Sequence, residues 1–146
     1  MRPVLSPYID MILEYDVVSG DFTRAGYASS QIKKTLKQLG VASNIIKRVV
    51  VALYEAEVNI VAHADGGKIT ADISSEGIRV VLADRGPGIP DVEKAMEKGF
   101  STASPKVREM GFGAGMGLPN IKENADELKI ETEVGVGTTL HIYIKF

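Results

Sequence analysis

Hydrophobic positions along this chain follow two rhythms, one of period two and one of period three to four. From Glu14 to Ser19 apolar and polar residues alternate, with Tyr15 and Val17 on one side, and this predicts a short strand. Phe22, Ala25, Ser29, Ile32, Leu36 and Leu39 then recur at helical spacing, with Asp21 placed to cap the helix and Gly40 to end it. A second helix is predicted from a cap at Ser43 to about His63. Its main stripe is Ile45, Val49, Leu53, Ala56 and Ile60, and Val51, Tyr54 and Val58 lie opposite. Two apolar faces predict burial on two sides, between a sheet and either the first helix or a partner chain.

Beyond this helix the period returns to two. Lys68 to Ser74 alternates through Ile69, Ala71 and Ile73, Ser75-Glu76-Gly77 turns, and Ile78 to Ala83 returns, a hairpin ending at Asp84. Asp91 can cap a short helix to about Lys98. Gly99 to Gly117 has no period, and a stretch of that kind inside a domain is usually functional. Pro119 suits the first turn of a helix ending near Asp126. Leu128 to Thr132 and Thr138 to Phe146 read as two last strands about a Gly135-Val136-Gly137 turn. Leu140, Ile142, Ile144 and Phe146 face one way, and His141, Tyr143 and Lys145 the other. One buried and one wetter face predict an α+β two-layer sandwich, a mixed, mostly antiparallel sheet with helices on one side. Residues 14–146 form the single expected domain, and 1–13 precede it with no assigned role.

Composition narrows the chemistry. The chain has 146 residues, enough for a real core, and a formal net charge of -2, which offers no electrostatic basis for binding nucleic acid or an anionic membrane. It has no cysteine, so disulfides, Cys-ligated zinc, iron–sulfur clusters and thiol catalysis are excluded. The N-terminal stretch lacks the apolar run of a signal peptide, and no run spans a membrane, so the expected location is the cytoplasm.

Four features carry candidate chemistry. Glu55 and Asn59 share a helix face at the edge of the main apolar stripe. There a carboxylate can accept a proton and a carboxamide oxygen can join a magnesium shell, although the pair also fits an ordinary solvated edge. Asp84 ends an apolar strand, where a carboxylate can accept from the exocyclic amine of adenine or simply start the Gly86-Pro87-Gly88 turn. Gly86 and Gly88 let a flat ring lie on bare backbone, and Pro87, with no N–H, makes this turn a poor phosphate nest. Gly111, Gly113, Gly115 and Gly117 precede a helix start, which suits phosphates or a hinge. Lys98, Lys106 and Arg108 stand just before that run, as phosphate contacts or solvated surface. His63 reads as a structural residue that bonds Asn59 or closes the helix C-terminus. Neither the P-loop nor the G-x-G-x-x-G spacing is present.

The order Glu55-x-x-x-Asn59, Asp84-x-Gly86-x-Gly88, Gly111-x-Gly113-x-Gly115-x-Gly117 and Gly135-x-Gly137-Thr138-Thr139 resembles the four boxes of the GHKL ATPase superfamily. Asn59-Ile-Val-Ala-His63 and Gly115-Met116-Gly117-Leu118-Pro119 narrow the resemblance to bacterial anti-sigma factors and switch-type serine-protein kinases, with Leu118-Pro119 nearer the switch kinases. The resemblance implies a Bergerat-type fold binding ATP and Mg2+ and phosphorylating a serine or threonine on a small STAS-domain protein. It implies Glu55 as general base, Asn59 as magnesium ligand, and Asp84 as the adenine carboxylate supported by Thr138 through water. Gly86 and Gly88 become the adenine turn, Gly111 to Gly117 with Met116 the phosphate lid, and Arg108 a candidate terminal-phosphate contact. A sigma-factor partner and a homodimer are compatible with it. A non-catalytic, ATP-dependent anti-sigma or scaffold module is the alternative. A histidine-kinase reading is disfavoured because neither His63 nor His141 stands on an exposed phosphoacceptor helix.

Overall fold

The computed structural model describes residues 10–97 and 117–146. The strands are β1 (Asp10–Val17), β2 (Gly67–Ser74), β3 (Gly77–Asp84), β4 (Glu127–Glu133) and β5 (Gly137–Lys145). The helices among the described residues are α1 (Tyr27–Gln38), α2 (Ser43–His63), α3 (Val92–Ala95) and α4 (Gly117–Asn124), with a 3-10 turn at Phe22–Arg24. The strand order is β1-β2-β3-β5-β4. All four pairings are antiparallel, so the sheet described here has no parallel pair.

Register explains the core. Ile69, Ala71 and Ile73 of β2 stand opposite Leu82, Val80 and Ile78 of β3. These in turn oppose Leu140, Ile142 and Ile144 of β5. All nine are buried, whereas Lys68, Asp72, Arg79 and Lys145, at alternate positions, are exposed. Among the described residues helices cover one sheet face, and Ile32 and Leu36 of α1, Val49 and Leu53 of α2, and Ile121 of α4 complete its core.

Three boundaries differ from the pattern. Strand β1 begins at Asp10 rather than Glu14. Met11 and Leu13 continue the inward alternation of Tyr15 and Val17, and the 62% exposed Ile12 on the outward side hides that period. The first helix does not run from Asp21. Gly26 breaks it with φ +92, and α1 starts at Tyr27. A Cβ at Gly26 would lie 3.0 Å from the Tyr54 ring, so close approach and backbone conformation both require glycine there. The cap of α2 is Ala42, with Ser43 already helical.

Several local signals hold as read. At the end of α1, Gly40 N–H donates to Lys37 and Val41 N–H to Leu36, a Schellman closure. Asp91 accepts the Lys94 N–H at 3.1 Å and caps α3, which ends at Ala95 rather than near Lys98. The second face of α2 is covered only in part: Val58 is buried and Val51 half-buried, while Tyr54 is 40% exposed with its ring against Gly26.

Candidate functional site

Helix α2 carries two carboxylates with opposite surroundings. Glu57 is 2% exposed and reaches across to the start of α1. It accepts the N–H groups of Ala28 at 3.1 Å and Ser29 at 3.0 Å, and the Ser29 hydroxyl at 2.7 Å. Gly26, at the cap position, has no side chain to offer, so a glutamate from another helix caps α1. The sequence reading missed Glu57, because its partners lie 28 and 29 positions away.

Glu55 lies on a different side of α2 and is partly exposed. Its Oε1 accepts from Asn120 Nδ2 at 3.3 Å. One turn along, Asn59 faces the first residue of α4, and a Cβ at Gly117 would lie 2.9 Å from Asn59 Nδ2. Among the described residues the Asn59 carboxamide has no hydrogen-bond partner. Residue 117 thus faces 59 and residue 120 faces 55, so α4 lies antiparallel along this edge of α2.

The expected adenine carboxylate stands beside the C-terminal end of α2, one to two turns beyond Asn59. Asp84 closes β3, and its Oδ1 accepts the Thr138 backbone N–H at 3.0 Å. This contact between Thr138 and Asp84 is direct and comes from the backbone. The Thr138 hydroxyl instead lies 2.9 Å from that of Thr132. Burial raises the Asp84 pKa above 3.8; the Thr138 N–H opposes this and the Asp65 carboxylate adds to it. The second oxygen of Asp84 has no hydrogen bond among the described residues.

The following turn is built by close contacts. A Cβ at Gly86 would lie 3.0 Å from Ala64 Cα, just past the end of α2. Gly88 has φ +74, and a Cβ there would lie 2.5 Å from the Glu133 carbonyl oxygen. Gly86 N–H donates to Val136 at 3.0 Å and Gly135 N–H to Pro87 at 2.9 Å, which zips the turn to the β4–β5 hairpin. The Ile89 N–H donates to the Thr132 hydroxyl at 2.8 Å. Thr132 thereby joins this turn to Thr138. It was absent from the sequence reading, although the hairpin register places it opposite Thr138.

His63 ends α2 and makes no hydrogen bond to Asn59 among the described residues. Burial holds its pKa below the ordinary imidazole value, which disfavours the charged form at the helix end. That end is closed instead by the segment after β1. Gly20 N–H donates to the Val61 carbonyl at 3.0 Å and the Ser19 hydroxyl to the Ala64 carbonyl at 2.6 Å. Lys98, Lys106, Arg108, Gly111, Gly113, Gly115 and Met116 lie outside the described residues.

Glu55, Asn59 and the Asp84 turn therefore border one stretch of α2, which spans about 13 Å between Glu55 and Ala64 at helical rise. Residues 19–144 match the histidine kinase-like ATPase domain. The chain belongs to that family. Within the histidine kinase-like ATPases it is 32% identical over 137 residues to the serine/threonine-protein kinase RsbT of Bacillus subtilis, covering 90% of both chains. It is 31% identical over 121 residues to an anti-sigma F factor of a Thermoanaerobacter species, covering 80% of this chain and 81% of that one. Among solved structures, the RsbU and RsbW domains of Rv1364c from Mycobacterium tuberculosis superpose with a TM-score of 0.62 at 17% identity, over 93% of this chain but only 33% of that one. A blue-light activated histidine kinase domain from Erythrobacter litoralis gives 0.53 at 18% identity, over 82% of this chain and 60% of that one. At such identities these two show the fold alone. Among the described residues no helix is long and apolar enough to cross a membrane.

Proposed function

We propose that this chain is an ATP-dependent serine/threonine kinase that phosphorylates a small STAS-domain regulatory protein and works by partner switching in the cytoplasm. The observation that carries the reading is the arrangement along α2. A half-buried carboxylate, Asp84, with one oxygen unbonded among the described residues, lies near its end, and a carboxamide and a carboxylate, Asn59 and Glu55, lie further back. The likeness to the kinase RsbT over 90% of the chain supports the catalytic part.

In this reading Asp84 accepts a hydrogen bond from the exocyclic amine of adenine through the oxygen that Thr138 leaves open. The bare backbone at Gly86 and Gly88 receives the ring. The residues present fit a magnesium ion, because Asn59 offers a hard carboxamide oxygen that no described residue occupies, and phosphates and water complete such a shell. When bound, the ion neutralises charge on the transferring phosphoryl group. Glu55 accepts the proton of the substrate hydroxyl as the hydroxyl oxygen bonds to the γ-phosphorus of ATP and the bond to the β-phosphate oxygen breaks, with ADP leaving. Gly111, Gly113, Gly115, Met116 and Gly117 are proposed to close over the phosphates, with Arg108 near the terminal one.

Incubation with labelled ATP, magnesium and STAS-domain proteins from the same genome tests this. Phosphate transfer that disappears in Glu55→Ala while nucleotide binding persists is the expected result. The 31% identity to an anti-sigma F factor favours a second reading, ATP-dependent binding of a sigma factor without transfer. Tight nucleotide-dependent complexes with no labelled product would favour it over the kinase.

A further inference from the structure

We infer that Asn120 is the positioning residue for Glu55, an inference that rests on the kinase reading above. Its amide nitrogen reaches the Glu55 Oε1 at 3.3 Å across 65 residues of sequence. It is the only hydrogen-bonding partner of that carboxylate among the described residues. A glutamate on a partly open helix edge samples several rotamers, and a donor on one oxygen holds the carboxyl group while leaving the other for a substrate hydroxyl.

Asn120 is itself held. Its neighbours Leu118, Pro119 and Ile121 are buried, with Ile121 at 0% exposure. Its carbonyl accepts Asn124 Nδ2 at 2.8 Å, and Gly117, one turn back, abuts Asn59. The amide is therefore presented from a packed helix rather than from a mobile side. It is also neutral, so it orients the carboxylate without forming a salt bridge that would compete with the substrate.

Asn120→Asp keeps the shape but exchanges the donor for a second negative charge. Asn120→Leu removes polarity, and Asn120→Gln keeps a donor on a longer arm. Each full-length variant is assayed for kcat and KM in phosphate transfer to the STAS-domain protein, for ADP affinity and for Tm. The Asp and Leu variants are expected to lose roughly 10- to 100-fold in kcat, the size of one hydrogen bond to a charged group. ADP affinity and Tm stay near wild type, and the Gln variant recovers most of the rate. Wild-type kcat in Asn120→Leu overturns the inference and leaves the kinase reading standing. A loss that tracks falling Tm or ADP affinity, or that Gln does not recover, also overturns it. A wild-type chain that transfers no phosphate takes down both.

Discussion

Glu55 and Glu57 are two positions apart on one helix and point about 200° apart around its axis. Substituting them should separate chemistry from stability. Glu57 holds three donors, the Ala28 and Ser29 N–H groups and the Ser29 hydroxyl, from a site 2% exposed. In Glu57→Ala all three lose their acceptor, and buried donors left unpaired cost about 1–3 kcal/mol each. A groove of about 340 Å3 lined by Glu57, Ala28, Tyr15 and Tyr27 leaves the space vacated by the Glu57 side chain open to water, which argues for the low end. The expected destabilisation is thus about 3 kcal/mol, larger than the ~0.5–2 kcal/mol of an ordinary cap. For a domain of this size it lowers Tm by roughly 6–12 °C. Glu57→Gln retains one acceptor oxygen but turns an NH2 toward a donor, and should cost about 1–2 kcal/mol. Glu55→Gln, whose carboxylate makes one long bond at a partly open edge, should leave Tm near wild type and abolish phosphate transfer. Urea and thermal unfolding, with nucleotide affinity measured on the folded variants, read both. A Glu57→Ala loss below about 1 kcal/mol would refute the cross-helix cap as a stabilising contact.

Asp84→Asn should abolish ATP binding yet stabilise the nucleotide-free protein at neutral pH, because the native carboxylate is ionised at a cost; unchanged affinity in calorimetry refutes the adenine assignment. The sign for pH follows from the raised Asp84 pKa. The folded state holds this proton more tightly than the unfolded chain, so the penalty is present above the raised value and is relieved as pH falls through it toward 3.8. ATP affinity should accordingly weaken on acidification before an ordinary aspartate would protonate, and a pH-titrated binding isotherm checks it. Gly88→Ala places a Cβ 2.5 Å from the Glu133 carbonyl oxygen at φ +74, and should cost at least ~1–3 kcal/mol in denaturant unfolding while weakening ATP binding. Gly117→Ala drives a methyl into the Asn59 carboxamide at 2.9 Å, so the magnesium dependence of ATP binding should weaken more than the metal-free affinity. Equal losses with and without magnesium would contradict Asn59 as the ligand.

Much of this protein is determined by its sequence alone, because the strongest signals are local. The period-two runs of β2, β3 and β5 carry their own register, since any shift by one residue would turn Ile69, Val80 and Ile142 toward solvent. The Schellman closure at Gly40, the cap at Asp91 and the order of the four glycine and carboxylate boxes are likewise readable from neighbours in the chain. Tertiary structure decided what depends on residues far apart. Glu57 and Glu55 are the same residue type on the same helix. Only the position of α1 makes one a buried cap, and only the position of α4 brings Asn120 to the other. The same holds for the close approach of Gly26 to the Tyr54 ring, and for Thr138, whose backbone N–H reaches Asp84. Periodicity shows which side of an element is buried. It cannot show which polar group waits on the other side of the contact, and that pairing decides whether a carboxylate holds the fold or is open to a substrate.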